Sequence, residues 1–282
     1  MQRPVLHPTS KALLEAYLKD LPQALIITGK EGTGTLEVAR YISATLKSPE
    51  EVILPKKKSK DGNRFEVDVE NGKVLTEDIR ALYDSVRGKQ TTPRVFIIRS
   101  ADRMMPAAQH ALLKLLEEPA PNIYFVLETY NTERLFATIR SRAQIMTILP
   151  LTAEQTDEYI KKLGVSDATK HRQLCYIATG LPTELRRLIQ DEDYFNTRAQ
   201  LINDARDLLQ ADPYQKLLVV QKYQTNRENA SLLIDSALQI ARHSVSAHPQ
   251  HVLITQLDKL LLVKENIASN HNVRLQLAQF VL

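Results

Sequence analysis

Apolar positions follow two regimes that change near residue 150 of this 282-residue chain. Leu13, Leu14, Tyr17, Leu18 and Leu21 recur at helical spacing within 9–21, with Thr9 or Ser10 placed to cap the start. Ala24-Leu25-Ile26-Ile27-Thr28 is then a short unbroken apolar run ended by Gly29, the pattern of a strand buried on both faces of a parallel sheet. A glycine loop leads into a helix over 36–46, with Leu36, Val38, Ala39, Ile42 and Leu46 on one side. The alternation continues: helix 76–86, strand 94–98, helix 107–118 stopped by Pro119, strand 123–128, helix 133–139 and strand 145–149. It predicts an α/β domain with a mostly parallel sheet. Residues 48–72 are polar and broken by Pro49, Pro55, Gly62 and Gly72, which reads as a surface excursion. After Pro150 only amphipathic helices follow, separated by Gly164, Gly180-Leu181-Pro182, Asp212-Pro213 and His248-Pro249.

With 43% hydrophobic and 25% charged residues, the chain has the material of about two soluble globular domains. No apolar run reaches the ~18–20 residues of a membrane span, and Met1 to Pro8 lacks the apolar core of a secretory signal, so a cytoplasmic location is expected. The single cysteine, Cys175, excludes an internal disulfide and any multi-thiolate zinc site, and reads as a buried small hydrophobe. A net charge of +4 permits nucleic-acid contact without demanding it. The run Lys56-Lys57-Lys58-Ser59-Lys60 could touch DNA phosphates, but it contains no aromatic residue for base stacking, and a solvated loop is the better reading.

Gly29-Lys30-Glu31-Gly32-Thr33-Gly34-Thr35-Leu36 lies between a strand and a helix, the context of a phosphate-binding loop of pattern G-x-x-x-x-G-K-[ST]. Its amides and the helix N-terminus would cradle phosphates. The chemistry also needs a Lys on the β- and γ-phosphates and a hydroxyl on Mg²⁺. Thr35 stands in the Lys slot, Leu36 in the hydroxyl slot, and Lys30 lies outside both. The strand at 94–98 should end in acidic residues for metal and water, yet it runs on into Arg99-Ser100-Ala101-Asp102. Asp102 suits a cap or salt bridge better than a metal. Three losses predict a vestigial site at Gly29, Gly32, Gly34 and Thr35 that holds no metal and does not hydrolyse ATP. The remaining amides leave room for weak nucleotide or phosphate binding.

Ala107-Ala108-Gln109-His110-Ala111-Leu112-Leu113-Lys114-Leu115-Leu116-Glu117-Glu118-Pro119 follows Ala101-Asp102-Arg103-Met104, and Ile139-Arg140-Ser141-Arg142-Ala143-Gln144 follows at a fixed distance. These segments resemble A-A-x-N-A-L-L-K-x-L-E-E-P and I-R-S-R-C-Q of the bacterial clamp-loader subunits of the AAA+ class. His7-Pro8 and Asn270 to Leu275 also fit, so the likeness extends from about residue 7 to residue 282. The resemblance implies that Arg142, supported by Ser141, is an arginine finger for a neighbouring subunit's ATP site, with Ala143 in place of Cys a packing change. It puts Thr129 and Asn131 near the sensor-1 position, expected to be structural, and Gly180-Leu181-Pro182 with Arg186 and Arg187 at a non-motor form of sensor 2. Members commonly carry a four-cysteine zinc module after the loop helix. Residues 47–73 contain no Cys, so no zinc and no other cofactor is expected.

What the resemblance implies as a whole is an AAA+ core over 1–149, a helical lid over 150–190 and a helical collar over 191–282. In the collar, Leu253, Leu257, Leu260, Leu261, Leu275, Leu277 and Phe280 are expected to pack among helices and against neighbouring subunits. The implied function is that of a non-hydrolysing part of a DNA polymerase holoenzyme. It would join ATPase motor and delta subunits in a hetero-oligomeric ring and, through the complex, meet the sliding clamp and primed DNA, with no membrane contact. Two alternatives stay open: an active AAA+ ATPase, either clamp-loader motor or helicase loader, with an atypical site, and an adaptor that binds DNA or protein with no part in hydrolysis.

Overall fold

The structure, a computed structural model, describes residues 3–59, 61–62, 64–86, 90–247 and 251–281. The chain divides into two compact units, Met1–Arg186 and Arg187–Leu282.

In the first unit, strands β1 (Ala24–Gly29), β2 (Glu51–Ile53), β5 (Arg94–Ile98), β6 (Ile123–Thr129) and β7 (Gln144–Ile148) form one sheet in the order β2-β5-β6-β1-β7, and every pair is parallel. Each apolar strand run serves both faces. Ile26, Phe96, Ile98, Phe125 and Leu127 pack with Ile79 and Leu82 of α3 (Thr76–Val86) and with Leu112 and Leu115 of α4 (Pro106–Glu117). Their neighbours Leu25, Ile27, Val95, Ile97 and Val126 pack on the opposite side with Leu14 of α1 (Pro8–Lys19) and Val38 and Ile42 of α2 (Thr35–Thr45). Successive strand residues point to opposite faces, so a strand covered by helices twice is apolar along most of its length. Truncating any of these leucines or isoleucines to Ala should cost about 2–5 kcal/mol.

Several expectations are corrected here. The polar stretch 48–72 is no mere excursion: it supplies the edge strand β2 and an antiparallel hairpin of β3 (Lys56–Lys58) and β4 (Phe65–Val67). The helix expected over 133–139 is a 3₁₀ turn, Thr132–Arg134, followed by the short α5 (Ala137–Arg140), because Leu135 and Phe136 take extended conformations between them. Neither Thr9 nor Ser10 caps α1. The His7 ring accepts from the Thr9 N–H, while Ser10 Oγ accepts from the Leu149 N–H, beyond the end of β7.

Helices α6 (Ala153–Lys162), α7 (Ala168–Ala178) and α8 (Pro182–Gln190) follow the sheet. A reciprocal box between Thr152 and Gln155 starts α6, and Asp167 accepts two N–H groups at the start of α7. Gly180 closes the turn before α8 with φ +78, where a Cβ would lie 2.4 Å from the Leu151 carbonyl oxygen. Cys175 is half-buried, so it is not the enclosed hydrophobe expected from sequence.

The second unit is α9 (Glu192–Gln210), α10 (Pro213–Tyr223), α11 (Arg227–Ala247), α12 (His251–Ala268) and α13 (Val273–Val281), with no strand among the described residues. Leu208 on α9, Leu233 and Ala237 on α11, Leu260 on α12 and Leu277 on α13 are fully buried. Leu257 and Phe280 are half-buried, Leu261 and Leu275 exposed, and the Leu253 side chain lies outside the described residues. Asp204 of α9 is a buried hub: Oδ2 accepts from Lys222 Nζ at 2.5 Å and Tyr223 Oη at 2.6 Å, and Oδ1 accepts from Gln200 Nε2 at 2.9 Å.

Candidate functional site

The glycine loop keeps the backbone of a phosphate cradle. Gly29 ends β1 so close to β7 that a Cβ would lie 2.7 Å from the Ile148 carbonyl oxygen, and Gly34 caps α2 at φ +88. Thr33 tightens the turn, its N–H and hydroxyl both reaching the Lys30 carbonyl, at 3.1 and 2.7 Å. Gly32 also has φ +88, and its carbonyl accepts the Thr183 N–H at 3.0 Å, tying the loop to the start of α8. Thr183 Oγ1 adds a longer bond to Glu37 Oε1, 3.3 Å.

Around the loop, side chains other than a Lys and a metal ligand set fill the space. Thr35, in the Lys slot, is 1% exposed and donates its hydroxyl to Glu128 Oε1 at 2.7 Å. Glu128, near the end of β6, is wholly buried, and its Oε2 accepts the Ser100 N–H at 2.9 Å. Ser100 is held in the left-handed region at φ 50, ψ 51, a conformation worth about 1–2 kcal/mol of strain outside glycine. A single carboxylate therefore joins the slot of the missing Lys to the acidic-residue position after β5. Partial desolvation of Tyr130, which is 39% exposed, followed by the Glu128 charge, pushes its phenol up.

The other expected residues make contacts within the chain or lie half-buried. Leu36 packs against the core, and the Arg99 N–H extends the pairing with β2 by donating to the Ile53 carbonyl at 3.0 Å. Asp102 accepts the Thr129 hydroxyl at 2.8 Å, Thr129 accepts the Asn131 N–H at 3.1 Å, and Asn131 caps the 3₁₀ turn through the Glu133 N–H. Arg187 stacks on the Tyr194 ring at 3.9 Å, and Arg186 is half-buried. In the lysine run, Lys56 Nζ is 2.5 Å from Asp78 Oδ1 and Lys58 lies over the Phe65 ring at 6.0 Å, so Lys56 is engaged within the chain. Lys60 lies outside the described residues.

Arg142 follows α5 on the surface of the first unit. Ser141 is the C-cap of α5 and returns its hydroxyl to the Thr138 carbonyl at 3.1 Å. The Arg142 guanidinium donates from Nη1 to the Thr138 carbonyl and pairs through Nη2 with Glu117 Oε1, each at 3.1 Å, with 37% of its side chain exposed. The buried Gln109 of α4 sets this geometry: its Oε1 accepts the Phe136 N–H at 2.8 Å and its Nε2 donates to the Arg134 carbonyl at 3.1 Å. His110 packs on Phe136, ring centroids 5.0 Å apart. The segment 107–119 and the Ser-Arg pair, separated in sequence, are thus joined by direct contacts. Sequence reasoning missed Gln109, Glu117 and Glu128. For Glu128 a signal existed, an acid closing the apolar run Ile123 to Leu127.

A family profile described as "DNA polymerase III, delta subunit" matches residues 8–152, just over half of the chain. The chain belongs to that family. Among its relatives, the DNA polymerase III subunit delta' of Bacillus subtilis (strain 168) is 28% identical over 205 residues, 68% of this chain and 61% of that protein. The delta' subunit of Haemophilus influenzae is 37% identical over 94 residues, 32% of this chain and 29% of its own length. The matches therefore span less than two thirds of these relatives. A DNA polymerase III gamma subunit-related protein of Thermotoga maritima MSB8 superposes with a TM-score of 0.57 at 17% identity, covering 96% of this chain and 97% of that one. The fold is accordingly a parallel-sheet α/β core followed by helical domains, shared with that gamma subunit-related protein, and the curated relatives of the family named here are delta' subunits. No helix among the described residues is long and apolar enough to cross a membrane.

Proposed function

We propose that the chain is a non-hydrolysing delta-prime-like subunit of a bacterial clamp loader that presents Arg142 to the ATP site of a neighbouring motor subunit, and so helps place a sliding clamp on primed DNA. The observation that carries the first half is the buried Thr35–Glu128–Ser100 network. A site that must stabilise the negative charge of a transferred phosphoryl group needs cations, and here the Lys slot holds a buried hydroxyl bonded to a carboxylate. The second half rests on Arg142 standing exposed at the end of a short helix that Gln109 holds in place. Its ion pair with Glu117 is partly exposed and worth about 0–1 kcal/mol, so a partner's phosphate can displace it. In an arginine finger, the planar fork supplies positive charge and two hydrogen bonds as the phosphoryl oxygens gain charge.

The same ion pair favours a second reading, an adaptor in which Arg142 merely ties α5 to α4. Reconstituting the complex with the wild-type chain, Arg142→Ala or Arg142→Lys separates the two. Under the finger reading both variants assemble normally, while DNA-stimulated ATP turnover and clamp loading fall with Ala and recover poorly with Lys. Unchanged turnover in the Ala complex favours the adaptor.

A further inference from the structure

We propose that Asp157, His171 and Cys175 form a binding site between α6 and α7 for one borderline-soft divalent transition-metal ion, zinc or cobalt. One ligand atom from each lies within 4.8 Å of the others, and among the described residues no other group of His, Cys, Asp and Glu meets this closeness. His171 and Cys175 are four residues apart on α7, which stacks them on one face a turn apart. The same spacing carries two ligands in helical zinc sites. Asp157 comes from α6, which packs on α7.

The details favour a cation over a simple ion pair. His171 is 15% exposed, and its Nε2 sits 2.5 Å from Asp157 Oδ1, yet that buried nitrogen makes no well-directed hydrogen bond. The ring nitrogen thus meets the carboxylate in a close contact without hydrogen-bond direction, beside a thiol, an arrangement that suits ligands converging on one ion. Asp157 divides its oxygens: Oδ2 takes Lys161 Nζ at 2.5 Å, and Oδ1 is left toward the imidazole. A zinc ion between them would replace the close contact with bonds of about 2.0–2.2 Å and take the thiolate at about 2.3 Å. Magnesium and calcium prefer all-oxygen sets, whereas an imidazole, a carboxylate and one thiolate suit zinc or cobalt. The Asp157 side chain is 44% exposed, so water can reach the fourth tetrahedral position. The sequence excludes a multi-thiolate zinc module and predicts no metal, and a site with one thiolate is compatible with the lone cysteine. Its effect would be to pin α6 to α7.

The full-length protein, stripped with a chelator and dialysed, is titrated with Co²⁺. The expected result is a thiolate-to-cobalt absorption band that saturates at one equivalent and is bleached by one equivalent of Zn²⁺. Zn²⁺ should also slow alkylation of Cys175 by iodoacetamide by ~10-fold or more, while Cys175→Ser abolishes the band and His171→Ala weakens Co²⁺ binding by ~10-fold or more. A titration without a thiolate band, or a band indifferent to loss of His171, overturns the site. Circular dichroism identifies any variant that fails to fold, and in that case the titration and the alkylation of the unaltered protein decide.

Discussion

Where a phosphate-binding loop would carry an ammonium group, the Thr35 hydroxyl meets Glu128, and the consequences for charge follow directly. A nucleotide phosphate entering beside that carboxylate would meet like-charge repulsion on the order of a few kcal/mol per pair of unit charges at an effective dielectric near 20. Restoring the lysine does not remove this obstacle. In Thr35→Lys the new ammonium should pair with Glu128, and Leu36 and Arg99 still leave the metal without ligands. The isolated variant should show no Mg²⁺-dependent phosphate release above background, and clear turnover would contradict the vestigial assignment. Glu117→Ala tests Arg142 from the other side. Losing so exposed an ion pair should change urea stability by less than about 1 kcal/mol. Under the finger reading it should leave turnover of the reconstituted complex intact, in contrast to Arg142→Ala. At one catalytic site the finger can be worth ~10³–10⁵ in rate, but other interfaces would retain their own arginines, so the whole complex should lose less.

At the scale of elements, legibility followed burial. The apolar runs at 24–28, 94–98 and 123–128 gave strands nearly residue for residue, because burial on both faces leaves a continuous signal. Strand β2 escaped notice: three half-buried residues, Glu51-Val52-Ile53, carry too little pattern, and their pairing with β5 is a tertiary fact. The glycine loop and Arg142 were readable as motifs. Glu128 and Gln109 were not read, since their roles depend on strand register and on α4 meeting 134–136. The Asp204 hub was equally hidden, its partners Lys222 and Tyr223 lying on the next helix. Burial alone would raise the Asp204 carboxyl, but hydrogen bonds from Lys222, Tyr223 and Gln200 outweigh it and hold the group below the ordinary aspartate value of 3.8. A depressed carboxylate contributes stability above that value, which is lost as pH falls through the folded-state value. Asp204→Asn should therefore cost about 1–3 kcal/mol at neutral pH, and the gap to wild type should narrow in urea melts below about pH 4.

For the molecule as a whole, the helical unit Arg187–Leu282 closes its own core yet leaves large apolar side chains outside it. Leu262 is 56% and Leu275 64% exposed, and Leu217, Leu218 and Ile254 are also open. Single exposed leucines are ordinary on any surface, but several on one helical unit fit a subunit that assembles through its collar. The buried leucines 260 and 277 hold the unit itself, whereas 262 and 275 are free to meet partners, so the two groups make opposite predictions. Leu260→Ala or Leu277→Ala should destabilise the isolated chain by about 2–5 kcal/mol. The double variant Leu262→Glu/Leu275→Glu should melt within about 1 kcal/mol of wild type, because neither side chain leaves a cavity. It should nevertheless elute apart from the other subunits when the complex is reconstituted and passed through size-exclusion chromatography. Normal co-elution would move the assembly surface elsewhere, and an unfolded double variant would mean that these two leucines belong to the core after all.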